Sequence, residues 1–217
     1  MHVRPLLGAV SGRPHLLAVP RAVLGATGFG AAVPFLVAGL AIALLFRREF
    51  ISQIGPVAVQ PPFAAAMVVP LLLALGTGVA HGTWPSAVIR RGIRTAVARA
   101  SSYLLASLLS LAVVTIASAV GEATVGPGML RSFLLLGGLT MGVGAICGIA
   151  FAWGPAVVLC CVAVLSPSSA DPMSLSSMVF WGDATGAQLV VAGGVYLLGL
   201  GLAVVDVVSR GYVRSAR

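Results

Sequence analysis

The stretch SFLLLGGLTMGVGAICGIAFAWGPAVVLCCVAVL, residues 132–165, decides the fold, because it runs for 34 residues without a charge. One helix of that length would reach roughly 51 Å at ~1.5 Å per residue and overshoot a hydrocarbon core of ~30 Å. Two helices of about 17 residues fit that core, provided the chain reverses between them. Phe151-Ala152-Trp153-Gly154-Pro155 offers the reversal. Gly and Pro interrupt a helix, and Trp suits the depth of a membrane interface.

Working outward, four more apolar runs lie at 23–46, 63–83, 101–120 and 187–208. With the split run they predict an all-α polytopic membrane protein of six transmembrane helices. Composition agrees: 59% of the 217 residues are hydrophobic and only 8% are charged, against roughly 25% charged in an average soluble domain. All 13 basic residues are Arg, and none falls inside the apolar runs. The net charge of +8 sits in short connecting segments rather than along one face, which argues against nucleic-acid binding and for topology signals. The first apolar run is longer than the ~7–15 residues of a signal-peptide core and reads as an uncleaved span.

Six spans put both termini on one side. With the termini cytoplasmic, Arg4, Arg13, Arg21, Arg90, Arg91, Arg94, Arg99, Arg210, Arg214 and Arg217 lie inside, and Arg47, Arg48 and Arg131 lie outside. Glu49, Glu122, Asp171 and Asp183 then fall outside as well. The organisation expected is a cytoplasmic or interfacial segment at 1–22, a transmembrane domain at 23–208 and a basic cytoplasmic tail at 209–217. The connection 166–186 is the longest on the outer side. Its apolar, serine-bearing part at 173–181 is too short to span and is expected to lie along or dip into the interface as short half-helices.

Chemistry-bearing patterns are scarce. Cys147, Cys160 and Cys161 have no C-x-x-C spacing, and adjacent cysteines point apart on a helix, so they read as small apolar residues. Gly25-x-x-Gly28-x-Gly30 opens a span rather than following a strand, so helix packing is preferred to a phosphate loop. Gly138-x-x-x-Gly142 and Gly144-x-x-x-Gly148 put small residues one turn apart, and Gly193, Gly194, Gly199 and Gly201 do something similar on the last span. Small residues let backbones approach where lipid supplies no hydrophobic drive, either within the chain or to a second copy. His81 and Asp206 lie near inner span ends and read as interfacial residues. A proton relay would need ionisable groups near mid-bilayer. No protease or hydrolase motif occurs in a span, and without Lys the chain carries no G-x-x-x-x-G-K-[ST] nucleotide loop. No metal site or cofactor is expected in this chain.

The segment His81-Gly-Thr-Trp-Pro-Ser-Ala-Val-Ile-Arg-Arg-Gly-Ile-Arg-Thr-Ala-Val-Ala-Arg-Ala-Ser-Ser-Tyr103 is basic and helix-compatible from Ser86. It suits anionic headgroups, a cytoplasmic partner, or both. From here the layout resembles the small permeases of the ABC-2 type, membrane subunits of type-V-fold ABC exporters, in a six-span actinobacterial-like form. The likeness covers nearly the whole chain and rests on a degenerate basic G-x-x-R…R…LLA pattern, seen here as Arg-Arg-Gly-Ile-Arg followed by Ala-Arg-Ala-Ser-Ser-Tyr-Leu-Leu-Ala-Ser-Leu-Leu. Two departures stand out. Thr83-Trp84-Pro85 replaces an acidic residue common before the basic stretch, and Pro5, Pro14 and Pro20 break the expected interfacial helix.

The resemblance implies half of an exporter. A second permease chain, identical or related, would complete the pore, and a separate P-loop ATPase holding ATP and Mg would dock at Trp84, Arg90, Arg91, Arg94 and Arg99. The cargo would be amphipathic: a peptide, antibiotic or lipid. The rival readings are a non-transport scaffold or accessory subunit, and a membrane enzyme using Asp171 and Asp183.

Overall fold

A computed structural model describes residues 29–46, 48–82, 92–120, 126–165, 174–180 and 182–213. Among them are seven α-helices and one hairpin: α1 (Phe29–Leu45), β1 (Phe50–Ile54), β2 (Val57–Ala64), α2 (Val69–Gly82), α3 (Gly92–Val120), α4 (Gly126–Cys147), α5 (Gly154–Leu165), α6 (Leu175–Phe180) and α7 (Gly186–Val213). The fold is mostly helical. Two helices, α4 and α7, are long and apolar enough to cross a membrane.

The charge-free run does divide. Helix α4 stops at Cys147, Gly148 takes a positive φ of 95°, and a 3-10 turn at Ile149–Phe151 leads through Ala152 and Trp153 into α5. The break thus begins before the predicted turn, because Gly148 adopts the left-handed conformation that ends helices without a Cβ penalty. The two helices are unequal, 22 and 12 residues, and α4 begins at Gly126, ahead of the charge-free run. Pro155 sits in the first turn of α5, where its missing N–H costs no hydrogen bond.

The all-α expectation needs one correction. The connection after α1 is an antiparallel hairpin, with Ile54 opposite Val57 across Gly55-Pro56. Gly55 has φ 58°. A positive φ followed by proline's fixed negative φ is the sign pattern of a II′ turn, whose twist suits a hairpin. A register shift between Ile51 and Gln53 accommodates the longer second strand. The second apolar run is correspondingly divided: 63–64 close β2, Ala65–Val68 form a 3-10 turn, and α2 starts only at Val69.

Helix α4 forms the centre, packing against α2, α3, α5, α6 and α7, while α1 covers α2 and α3. Its Met129, Phe133 and Leu136 are fully buried, as are Val69 and Leu73 of α2. The outer surface is apolar: Val37, Leu45, Leu108, Ile116, Val158, Leu165, Val190, Leu197, Leu198 and Val205 are all exposed. So large an exposed apolar surface marks a membrane or partner contact rather than a face bathed in water.

The hairpin, α6 and the start of α4 lie together at one end of the bundle. Phe63 of β2 stacks on Phe180 of α6 at 4.4 Å, and the Gly128 N–H donates to the Gly182 carbonyl at 2.7 Å. Toward the other end, Gly78 of α2 meets Thr140 and Ala152 at the α4–α5 break.

Candidate functional site

The hairpin end holds two features, a buried polar knot and an apolar cavity. The knot centres on Arg131, which is fully buried. Its Nε donates to the Met178 carbonyl at 2.9 Å. Its Nη1 donates to the Asp183 carbonyl at 2.7 Å and to Gln188 Oε1 at 2.8 Å. Ser132 Oγ donates to the Val179 carbonyl at 2.7 Å. The last carbonyls of a helix have no partner within it, so Arg131 and Ser132 cap the C-terminal end of α6 with side-chain donors. Arginine suits the task because its planar fork spreads several donors over several acceptors.

The same knot fixes the start of α7. Thr185-Gly186-Ala187-Gln188 is a capping box: Gln188 N–H donates to Thr185 Oγ1 at 3.3 Å, and Thr185 N–H donates to Gln188 Oε1 at 3.0 Å. Gln188 Oε1 therefore accepts from both Thr185 and Arg131. One buried guanidinium joins α4, α6 and α7. This corrects the expectation that Arg131 is an outer-loop charge, because the residue lies on the second turn of α4 and points into the protein. The sequence carried a missed signal in T-x-x-Q before an apolar run, a capping pattern readable without a structure.

Beside the knot lies a cavity of about 350 Å³. Ile54 and Phe63 of the hairpin, Met67, Val68 and Leu71 form one side, and Cys160, Cys161, Val164, Leu165 and Phe180 form the other. Every described lining residue is apolar or a thiol. Phe180 follows directly on the two carbonyls that Arg131 and Ser132 hold, so the knot sets the position of this wall. Cys160 is buried and Cys161 exposed, pointing apart as expected for neighbours on a helix.

The α4–α7 seam is built from small residues. A Cβ on Gly138 would stand 2.6 Å from the Val195 carbonyl oxygen and 2.7 Å from Tyr196 Cα, and one on Gly199 would collide with the Gly138 carbonyl. A Cβ on Gly142 would lie 3.6 Å from Gly199 Cα. Gly144 is buried on the same helix. Gly148 serves differently from a packing glycine: it ends α4, with open space where a side chain would stand. Gly193, Gly194 and Gly201 likewise face open space. Phe133 and Tyr196 pack across the seam with ring centroids 5.8 Å apart.

Arg47, Trp84, Arg90 and Arg91 lie outside the described residues, as does Asp171. Arg94 and Arg99 lie on α3, which runs unbroken from Gly92 to Val120. From Gly92 onward the basic segment is thus continuous in one helix with the third apolar run. His81 falls on α2 and Asp206 on α7, which continues past the predicted span end to Val213. No group of His, Cys, Asp and Glu able to hold a metal occurs among the described residues. No family model, curated protein or solved structure matches this chain.

Proposed function

We propose that the chain is a membrane-spanning permease subunit of an ATP-driven exporter, moving an amphipathic or lipid-like compound or peptide out of the cell. In this reading α1, α2, α3, α4, α5 and α7 cross the plasma membrane, both termini are cytoplasmic, and the hairpin with α6 faces outward. ATP is hydrolysed by a separate P-loop subunit, and a second permease chain completes the pathway. The observation that carries the reading is α3. Its 29 residues extend roughly 44 Å, about 14 Å more than a hydrocarbon core. The excess lies at the end that carries Arg94 and Arg99. A rigid helix that begins among arginines and ends in the bundle suits transmission of a partner's movement as a rigid-body shift. The exposed apolar exterior supports the membrane setting.

The test is gentle-detergent purification of the chain from its host, with mass spectrometry and an ATPase assay on the eluate. A P-loop ATPase at about one per chain is expected. Replacing Arg90, Arg91 and Arg94 by Glu should lose that partner while insertion persists. A preparation without a nucleotide-binding partner overturns the reading. It would favour a non-transport scaffold or accessory subunit, to which one feature already points: Arg131, Ser132 and Gln188 hold helices to one another rather than lining a passage.

A further inference from the structure

We propose that the cavity at the hairpin end holds one acyl chain of an anionic phospholipid. The inference rests on the chain spanning a membrane and not on its being an exporter. Among the described residues the lining offers no polar side chain, and a bound water needs two to four polar partners, so an apolar occupant suits it better than water or a polar solute. The volume of about 350 Å³ is near the small end of ligand sites, room for a length of chain rather than a whole lipid. Ile54, Cys161 and Leu165 are exposed at its edge and continue into the apolar exterior. Entry is therefore sideways from the bilayer.

The walls are preformed. Phe180 stacks on Phe63, and the carbonyls just before it are held by Arg131 and Ser132. Lipid tails are as apolar as this lining, so leaving the bilayer gains a chain nothing hydrophobic. Preference must come from contact with fixed walls and from the headgroup. Arg48 supplies the charge for the latter. It is exposed at the foot of the hairpin, next to Glu49, whose carbonyl accepts from Ala65 N–H at 2.9 Å, two residues before the lining Met67. The Glu49–Ala65 pairing thus brings the backbone beside Arg48 to within a few residues of the lining, and the phosphate is assigned to Arg48 while its chain lies inside the cavity.

The experiment uses the full chain in nanodiscs of phosphatidylcholine and phosphatidylglycerol, with either lipid carrying a mid-chain diazirine, and maps photo-adducts by mass spectrometry. Adducts should concentrate on 67–71 and 160–165 relative to lipid-facing Leu197 and Leu198. The phosphatidylglycerol probe should exceed the phosphatidylcholine probe about fivefold there, the effect of one surface Arg on an anionic lipid. Arg48→Gln should erase that preference. Cys161→Trp and, separately, Val68→Trp should fill the cavity and remove its adducts while those at Leu197 and Leu198 persist, which shows the variants folded. Adducts no denser than on α7, adducts unmoved by both Trp variants, or equal labelling by the two probes each overturn the proposal. If residues 166–173 of the chain itself fill the cavity, the first of these outcomes results. An occupied cavity in a chain that co-purifies with no ATPase leaves this inference standing and removes the exporter reading alone.

Discussion

Helices α4 and α7 both pass for membrane spans by length and composition, yet 67% of the apolar stretch of α4 is buried within the protein, against 28% for α7. The difference follows from what interrupts the apolar residues. Helix α4 carries Arg131, Ser132 and Thr140, all fully buried, and the glycine face of Gly138 and Gly142. Helix α7 buries one stripe, Gln188, Ala192, Tyr196, Gly199 and Ala203, and turns Val190, Leu197, Leu198 and Val205 outward. In lipid a leucine gains little by facing protein rather than tails. Small residues that allow close approach, and polar groups that need partners, choose the buried face instead. The exposed leucines of α7 and the buried glycines of α4 are two sides of one rule.

The largest effect expected from breaking this contrast is at Arg131. Arg131→Met keeps an unbranched apolar stem but strips donors from the Met178 and Asp183 carbonyls and from Gln188. Loss of three hydrogen bonds to a charged group should cost about 4 kcal/mol in denaturant titration of the detergent-solubilised chain. Arg131→Lys, with a compact ammonium in place of the fork, should recover about half. Hydrogen exchange of Leu175–Phe180 should rise in step with the loss, since α6 depends on this cap. A Met variant as stable as the parent would mean that the knot adds nothing to the hold on α6.

Next in size is Gly138→Ala. The new methyl meets the backbone of Val195 and Tyr196 at 2.6–2.7 Å, and backbone cannot turn aside as a side-chain tip can. The helices must move apart, at about 2–3 kcal/mol, measurable in the same titration. An unchanged midpoint would show that α4 and α7 do not meet this closely in the bilayer.

These residues also show what could be read from sequence and what could not. The spacing of Gly138 and Gly142 names a packing face because one turn of helix stacks them. It does not name the partner, which depends on how distant helices assemble. The two-helix reading of 132–165 followed from length against bilayer thickness. The site of the break did not, because Gly148 outranked Gly154-Pro155 by taking a positive φ. The hairpin was masked by composition: Phe50-Ile51-Ser52-Gln53-Ile54 is only partly alternating, and Gly55-Pro56 is an uncommon hairpin turn beside Asn-Gly. Arg131 was misjudged for a physical reason too. A charge at the edge of an apolar run is ordinarily a topology marker. The burial of Arg131 is compensated by acceptors 47 to 57 residues further along the chain, the Met178 and Asp183 carbonyls and Gln188 Oε1. The cavity was beyond reach because its walls come from four separate segments. In the basic segment the helix tendency was legible from residue types, while the continuity of α3 from Gly92 depended on the absence of any break before Tyr103.

The smallest effect expected is at Gly194, five residues before Gly199 on α7 and exposed, with nothing within 4 Å of the position an added methyl would take. Gly194→Ala removes glycine's excess freedom in the unfolded chain without a clash, so it should stabilise the protein by up to about 1 kcal/mol. It is the counterpart of Gly138→Ala: the same substitution in the same bundle, with opposite sign, because one glycine faces backbone and the other faces open space. The two titrations should therefore diverge, and the divergence should persist when the chain is purified at low concentration. If Gly194→Ala instead destabilises, and does so more at high protein concentration than at low, a second copy or another subunit covers this face of α7. That outcome would move the line between buried and lipid-facing surface outward by one helix and turn the exposed leucines of α7 into an interface.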